Sequence, residues 1–388
     1  MTVNDPMSTR GSRLVNQNPS TVSGRVPRRR LGRCGIEVSA VGVGCWPIGG
    51  PDHNLGMPMG WSEVDETTAV AGLERAVELG ADLFDTADVY GHGRSERLLG
   101  RVVGQVHRDT LVLTSKVGYF AGTARHGYEP RHMRRQLEQS LDNLSTDHLD
   151  IYFLHHADFG PEDCYLHGAV EAIRGFQTEG LIRAVGMRGP HRFALDRLQT
   201  PSELRGDKIA RFRALFEVVQ PEVLAVRDNL LTPGHRSAGI FALADAHDCG
   251  VLVNKPLAQG LLTGSYTPDR PRTFGPGDHR GRKRWFAPEA TAVIAEGLAG
   301  VRDLVGPEPA DLIRIALWAC LSRSPHAAVL AGFTRPEQVG MNLTCLGDRP
   351  EPSTLDAARS IMAQVQARLD AGGQVFLDEL AAGPGTPR

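Results

Sequence analysis

Four titratable side chains of different types follow short apolar runs in the first half of the chain. Asp85 and Tyr90 lie in "FDTADVYGHGRSERLLG" (84–100), Lys116 ends "TLVLTSK", and His155 ends "LDIYFLH". A nearby ammonium stabilises a phenolate and lowers the pKa of the phenol from its ordinary value of about 10. A histidine beside it could donate a hydrogen bond to a carbonyl oxygen as negative charge develops there. Together these groups could protonate an alkoxide while hydride reaches carbon, although each residue alone also has an ordinary structural explanation.

The chain around these residues alternates strand-like and helical patterns. Short apolar runs with little alternation are typical of parallel strands covered on both faces, and a helical stretch follows each. The eight runs are "VSAVGVGCW", "DLF", "TLVLTSK", "LDIYFLH", "IRAVGM", "EVLAV", "GVLVNK" and "AAVLAG". Eight such units predict an α/β fold, a single-domain closed (β/α)8 TIM barrel. In such barrels the reacting groups lie at the carboxyl ends of the strands, where Asp85, Lys116 and His155 would converge.

The two ends of the chain are expected to lie outside the barrel. We place the barrel at residues 31–375, a disordered basic extension at 1–30 and a flexible tail at 376–388. Residues 1–33 contain seven arginines and a single acid. Such a composition also resembles that of an organelle transit peptide. Alternatively, the extension reflects an upstream start codon, with Met7 as another candidate for the first residue.

Two insertions lengthen the regular repeat. One, at 200–220, separates strands five and six, and the other is a Pro-, Gly- and Arg-rich loop at 267–285 after strand seven. The second is either a mobile surface loop or a lid over a ligand. Ser95 is expected to cap the helix that follows "GHGR".

The composition indicates a small-molecule partner. The 388 residues carry a formal net charge of −2, with 41% hydrophobic and 23% charged residues, so we expect neither nucleic acid nor a membrane as partner. The six cysteines are scattered, without the short spacings of a metal site. No apolar run reaches the roughly 18 residues of a spanning helix. We therefore expect a cytoplasmic protein with reduced thiols and no metal; Rossmann, Walker A, HExxH and GxSxG motifs are also absent.

Several motifs in a fixed order resemble those of the aldo-keto reductases. They are "LFDTADVYGHGRSERLLG", "TSKVG", "STDHLDIYFLHH", "PLAQGLLTG" and "GFTRPEQVGMNL", spread over roughly residues 31–345. The resemblance implies a catalytic tetrad of Asp85, Tyr90, Lys116 and His155, with Tyr90 as proton donor. It further implies NADPH-dependent reduction of an aldehyde or ketone to an alcohol, with the cofactor bound without a Rossmann fold.

The same resemblance implies where the cofactor would bind. The loop after strand seven would cover the pyrophosphate, and the segment after strand eight would hold the adenosine, with Arg335 and Gln338 at the 2′-phosphate and Asn342 at the adenine. The full expected set is Arg188, Asn254, Lys255, Pro256, Leu257, Gln259, Gly260, Leu262, Gly332, Thr334, Arg335, Gln338 and Asn342.

The chain departs from the family pattern at the nicotinamide. Many members hold the carboxamide with Ser-Asn after strand five and Gln on strand six, where this chain has Arg188, Gly189 and Ala225. Many stack a tyrosine on the ring after strand seven, where this chain has Asn254 and Lys255. Met341 replaces a frequent glutamate near the adenine.

Loop residues are expected to form the substrate pocket, namely Trp46, Trp61, His92, Tyr119 and His156. They leave the identity of the carbonyl compound open, and the oligomeric state is equally unreadable from the sequence. Two other functions remain open. The first is a barrel that binds the cofactor as a regulatory or redox-sensing ligand and acts through a protein partner. The second is a metal-dependent hydrolase built on "HHAD".

Overall fold

The computed structural model describes residues 26–54, 56–190 and 207–372. Twelve strands lie in this part of the chain: β1 Arg28–Arg30, β2 Glu37–Ser39, β3 Val41–Gly44, β4 His53–Asn54, β5 Met57–Pro58, β6 Leu83–Asp85, β7 Val112–Val117, β8 Leu149–Leu154, β9 Ile182–Arg188, β10 Val223–Arg227, β11 Gly250–Asn254 and β12 Ala327–Gly332. Eight of them close into a parallel barrel in the order β10–β11–β12–β3–β6–β7–β8–β9. The predicted (β/α)8 TIM barrel is confirmed.

Helices surround this barrel. Those in the described residues are α1 Glu66–Glu78, α2 Arg94–Val103, α3 Pro130–Leu144, α4 Leu166–Thr178, α5 Lys208–Val219, α6 Gly234–Ala246, α7 Pro288–Val305, α8 Pro309–Leu321, α9 Pro336–Thr344 and α10 Pro352–Ala371. No helix in this part of the chain is long and apolar enough to span a membrane. All six cysteines are free thiols.

The side chains of each barrel strand alternate between two hydrophobic cores. Leu83, Val112, Ile151 and Phe153 belong to the core inside the barrel, while Phe84 and its counterparts on other strands belong to the core under the helices. Because side-chain direction alternates with period two along a strand, the inward positions continue to the carboxyl end of each strand. The residues at these inward positions past the inner core are Gly44, Asp85, Lys116, His155, Arg188, Arg227, Asn254 and Gly332.

A hairpin closes the amino-terminal end of the barrel. β1 pairs with β2 in antiparallel fashion, although Arg28–Arg30 were assigned to the extension. Arg28 forms an ion pair of 2.6 Å with Asp82, and Leu31 packs into the inner core. The folded unit therefore begins before residue 31. The remaining expectations for the termini concern residues 1–25 and 373–388, which lie outside the described residues.

The two predicted insertions differ in how far they can be described. Residues 200–206 of the first insertion lie outside the described part, and most of the remainder forms α5. The second insertion contains two short 3-10 turns, His279–Arg282 and Arg284–Phe286, and leads into α7. We call residues 267–286 the strap.

The prediction that Ser95 caps α2 is wrong. The helix begins after Gly93, whose φ of 78° is a left-handed conformation that glycine adopts without strain. Ser95 lies within the first turn instead of capping it. Its hydroxyl donates to the Cys45 carbonyl at 2.8 Å and accepts from Thr86 Oγ1 at 2.9 Å, so it ties α2 to the ends of β3 and β6.

Candidate active site

A cavity of about 1070 Å³ opens at the carboxyl ends of the barrel strands. Asp85, Tyr90, Lys116 and His155 all line it. Three of them are at inward positions that follow the inner core, and Tyr90 reaches the same place from the loop after β6. Strand periodicity and barrel closure therefore bring together four residues that are spread over 70 positions of the sequence, from Asp85 to His155.

Lys116 is held by two acceptors below the cavity. Its ammonium donates to Asp85 Oδ1 at 2.8 Å and to the Thr86 carbonyl at 2.5 Å, and both Lys116 and Asp85 are buried. Asp85 Oδ1 also accepts from Thr114 Oγ1 at 2.6 Å. Burial works to lower the pKa of Lys116, but the Asp85 carboxylate and Tyr90 raise it above its ordinary value. Lys116 is therefore a fixed positive charge at neutral pH.

Tyr90 lies directly against this charge. The Lys116 ammonium is 4.9 Å from the centre of the Tyr90 ring. Burial raises the pKa of Tyr90 above its ordinary value, and the lowering effects of Lys116 and Arg188 only partly offset that rise. The ammonium lowers the pKa as the sequence suggested, but burial has the larger effect. The phenol is therefore protonated at neutral pH, as a proton donor must be.

His155 completes the group as a neutral imidazole. Its ring lies 6.0 Å from the Tyr90 ring, nearly perpendicular to it, and it is buried. Burial, followed by the charges of Arg188 and Lys116, lowers the pKa of His155 well below its ordinary value. A neutral imidazole carries one N–H, which can donate a hydrogen bond without charging the site.

Aromatic side chains form the roof of the cavity above Tyr90. Trp46 stacks over Tyr90 with ring centres 6.0 Å apart, and Trp61 packs edge-on against Trp46 at 5.5 Å. Tyr119 stands edge-on to His155 at 4.8 Å. All three expected wall residues line the cavity.

Two of the expected substrate-pocket residues lie elsewhere. His92 is exposed, and its Nδ1 is 3.0 Å from Asp52 Oδ1. His156 is buried behind the wall, with its ring 4.6 Å from that of Tyr128. Because His156 follows the inward-facing His155, it faces the helices. Burial lowers its pKa to about 4.

His279, a strap residue in the roof, was not predicted from the sequence. Its ring stacks on Trp46 at 4.3 Å and lies 5.0 Å from Trp61, while Nδ1 is 2.6 Å from the Gly60 carbonyl oxygen. Its Nε2 also contacts the Gln259 amide. Burial lowers the pKa of His279 well below its ordinary value, so this ring is neutral as well.

A buried ion pair anchors the strap across the cavity mouth. Arg280 donates to Asp278 Oδ2 at 2.6 Å, to Ser62 Oγ at 2.6 Å and to the Tyr266 hydroxyl at 3.0 Å. Its guanidinium also lies 4.3 Å from the centre of the Trp61 ring. Both charged residues are buried. The strap is therefore joined to the loop after β3 by specific contacts.

The expected cofactor residues extend the cavity away from Tyr90. Every one of them lines it except Leu262, which is buried in the outer core and turned away from the cavity. Gln338 Oε1 accepts from the backbone N–H groups of Thr334 and Arg335, at 2.8 and 3.2 Å, and so caps α9. Asn342 donates to the Gly332 carbonyl at 3.4 Å.

Positive charge dominates the cavity lining. Three acids, Asp85, Asp207 and Glu337, face twelve basic side chains: Lys116, Arg188, Lys208, Arg227, Arg236, Lys255, Arg272, Arg280, Arg282, Lys283, Arg284 and Arg335. Such an excess attracts anions and concentrates them at the mouth. A dinucleotide with its pyrophosphate has the chemistry that this lining favours.

Asp88 lies in the loop between β6 and α2. It is buried, and neither of its carboxylate oxygens has a hydrogen-bond partner among the described residues. Burial and the nearby Glu96 raise the pKa of Asp88 well above its ordinary value. A neutral carboxyl group therefore lies behind the Tyr90 loop.

Comparison with known proteins assigns the chain to a family. The model of the Aldo/keto reductase family matches residues 40–349. The chain belongs to this family. It is thus an oxidoreductase of a family that uses nicotinamide cofactors, and the predicted family resemblance is confirmed.

The chain is also similar to curated proteins, and it shares its fold with solved structures. An NADH-specific methylglyoxal reductase of Escherichia coli is 28% identical over 329 residues, covering 81% of this chain and 92% of that protein. An L-galactose dehydrogenase of Arabidopsis thaliana is 25% identical, covering 89% of this chain and 95% of that protein. The structure of a glycerol dehydrogenase from Gluconobacter oxydans shares the fold, with a TM-score of 0.66, 22% identity and coverage of 93% of this chain and 99% of that one.

Proposed function

We propose that this protein reduces an aldehyde or ketone to an alcohol with NADPH, using Tyr90 as the proton donor. The observation that carries the proposal is the arrangement around Lys116. Its ammonium is fixed by Asp85 and lies 4.9 Å from the centre of the protonated Tyr90 ring. An acid held beside a fixed positive charge is suited to release a proton as the charge balance changes.

In the proposed reaction, the carbonyl oxygen accepts hydrogen bonds from the Tyr90 hydroxyl and a His155 N–H. As negative charge develops on that oxygen, Tyr90 transfers its proton to it. Lys116 stabilises the resulting phenolate, since its pKa is raised and it stays charged. His155 supplies a donor without adding charge, because its pKa is lowered. The roof formed by Trp46, Trp61 and His279 excludes water from this corner.

The cofactor would lie along the basic part of the cavity. When bound, NADPH supplies the hydride to the carbonyl carbon. Lys255, Gln259 and Gly260 would contact the pyrophosphate, and Arg335 the 2′-phosphate at the amino-terminal end of α9, where backbone N–H groups favour negative charge. No carboxylate in the described residues forms an ion pair with Arg335, the residue proposed to bind the 2′-phosphate.

Purified protein mixed with NADPH and a panel of aldehydes and ketones tests the reaction by loss of nicotinamide absorbance. We expect Tyr90→Phe to lower kcat/KM by about 100-fold to 10,000-fold, because the proton donor is lost. Tyr165→Phe, which changes a half-buried tyrosine stacked on His126, is the matched control. Turnover that survives Tyr90→Phe would exclude Tyr90 as the acid. Cofactor binding without turnover of any carbonyl compound would favour the regulatory or redox-sensing barrel.

The proposed preference for NADPH over NADH rests on Arg335, and a nearby carboxylate opposes it. Glu337 lines the cavity in the first turn of the same helix, and a carboxylate there repels a 2′-phosphate and favours NADH. We expect NADPH to bind more tightly than NADH, and Arg335→Ala to weaken NADPH binding about tenfold to 100-fold through loss of a charge-assisted hydrogen bond. Fluorescence titration measures both constants. Equal binding of the two cofactors, unchanged by Arg335→Ala, would contradict the proposed preference for NADPH.

A further inference from the structure

Arg188 ends β9 beside the proposed catalytic histidine. The register pairs Leu154 of β8 with Met187 of β9, so the next two residues, His155 and Arg188, lie side by side at the strand ends. Neighbouring strands are about 4.8 Å apart, and residues in register point the same way. Both residues line the cavity. Arg188 is therefore part of the wall next to the position of the reacting carbonyl.

The Arg188 side chain has no acceptor in the described part of the chain. It is half-buried, and neither an ion pair nor a hydrogen bond joins its guanidinium to any of the described residues. Its neighbours Gly189 and Ala225 bring no polar side chain, and the Ala225 carbonyl already accepts from the Gly189 N–H at 2.9 Å. A partly desolvated guanidinium is stabilised by an acceptor, and a ligand bound in the cavity is placed to supply one.

The charge of Arg188 acts on the catalytic groups themselves. It lowers the pKa of both Tyr90 and His155. Asp85, the acid of the catalytic group, already accepts hydrogen bonds from Lys116 and Thr114. A bound molecule that reaches Tyr90 is therefore also placed to supply an acceptor to Arg188.

We propose that the carbonyl substrate carries an anionic oxygen group, a carboxylate or a phosphate, and that Arg188 binds this group. The inference rests on the proposed reduction and adds the substrate class. The planar guanidinium fork matches two oxygens of either anion, and such paired, charge-assisted hydrogen bonds are stronger than those between neutral groups. A neutral carbonyl compound would leave the guanidinium without a counter-ion.

The test compares substrates that differ only in charge. The pairs are 4-carboxybenzaldehyde with methyl 4-formylbenzoate, and glyceraldehyde 3-phosphate with glyceraldehyde. For at least one pair we expect kcat/KM to be about tenfold or more higher for the anion, and Arg188→Gln to bring that ratio close to one, mainly through KM. Arg188→Lys should restore part of the ratio. The pair that responds identifies the anionic group.

Arg272→Gln is the matched control. Arg272 is another basic residue of the cavity wall, 4.8 Å from the centre of the Tyr266 ring, and its loss should leave the ratio intact. Ratios near one in the unmodified protein would overturn the proposal. An Arg188→Gln variant that lowers both members of each pair equally, with weaker cofactor binding, would also overturn it and assign Arg188 to the nicotinamide.

Calorimetry on the cofactor-loaded protein separates this inference from the proposed function. Benzoate should bind at least tenfold more tightly than benzamide, and Arg188→Gln should remove the difference. If that binding is found but no carbonyl compound is reduced, the proposed function fails and the anion site stands. If carbonyl compounds are reduced but neither charge preference is found, the proposed function stands and the anion site fails.

Discussion

Tyr90 and Lys116 each shift the pKa of the other in the direction opposite to the shift that burial causes. Burial raises the pKa of the phenol, the ammonium lowers it, and burial has the larger effect. The protonated phenol serves reduction, whereas the reverse reaction, alcohol oxidation, needs the phenolate. The two directions should therefore respond oppositely to alkaline pH.

We expect kcat/KM for alcohol oxidation to rise as pH increases toward the raised pKa of Tyr90. In Lys116→Met the phenolate loses its stabilising charge, so this rise should move to higher pH and the rate should fall at every pH. Initial rates across alkaline buffers of constant ionic strength give the profile. A profile in Lys116→Met that coincides with that of the unmodified protein would show that Lys116 does not tune Tyr90.

Residue types and strand ends suffice to predict the centre of the site but not its boundary. Asp85, Lys116 and His155 could be anticipated because they end apolar strands at inward positions. The same period of two could have excluded His156, which must face away when His155 faces inward. His279 had no such signal, since its place depends on a long loop that returns to Trp46 and Trp61.

The strap is the element whose behaviour depends most on a few contacts. Arg280 is the buried partner of Asp278, and it reaches Ser62 in the loop after β3. In Arg280→Leu the side-chain bulk remains but a buried carboxylate loses its counter-ion. Such losses typically cost about 3–5 kcal/mol.

We expect that cost to appear as local opening of the strap. Amide hydrogen exchange in residues 274–286 should become faster in Arg280→Leu, while exchange in the barrel strands changes little. Arg272→Leu, in the same loop but exposed, is the control. Unchanged protection in Arg280→Leu would show that the roof is held by its aromatic contacts alone.

Elements differ in how far they can be read from sequence. The barrel strands have short apolar runs that carry their own pattern. The hairpin strand Arg28–Arg30 has none, because its stability comes from pairing with β2 and from the distant Asp82. Local sequence cannot show such long-range partners.

At the scale of the whole molecule, buried neutral histidines make the fold sensitive to acid. The pKa of His156 is lowered to about 4, and those of His155 and His279 are also lowered, in each case mainly by burial. An unfolded histidine has a pKa of about 6.5. Between these values the unfolded chain binds more protons, so the free energy of unfolding falls as pH falls.

For His156 alone the loss amounts to about 3 kcal/mol between pH 6.5 and pH 4. We expect His156→Asn to be less stable at neutral pH but to lose less stability on acidification. Urea unfolding at a series of pH values measures this slope, with exposed His167→Asn as control. Identical slopes for His156→Asn and the unmodified protein would contradict the assignment.

The hairpin at the closed end of the barrel also imposes an order on chain synthesis. Arg33 donates to the carbonyls of Pro221 and His247, at 2.6 and 2.5 Å, and its backbone N–H donates to the Asp248 carbonyl at 2.6 Å. A ribosome makes Arg33 early, but these acceptors leave it more than 180 residues later. The hairpin must therefore wait for these partners until about two-thirds of the 388 residues have been made.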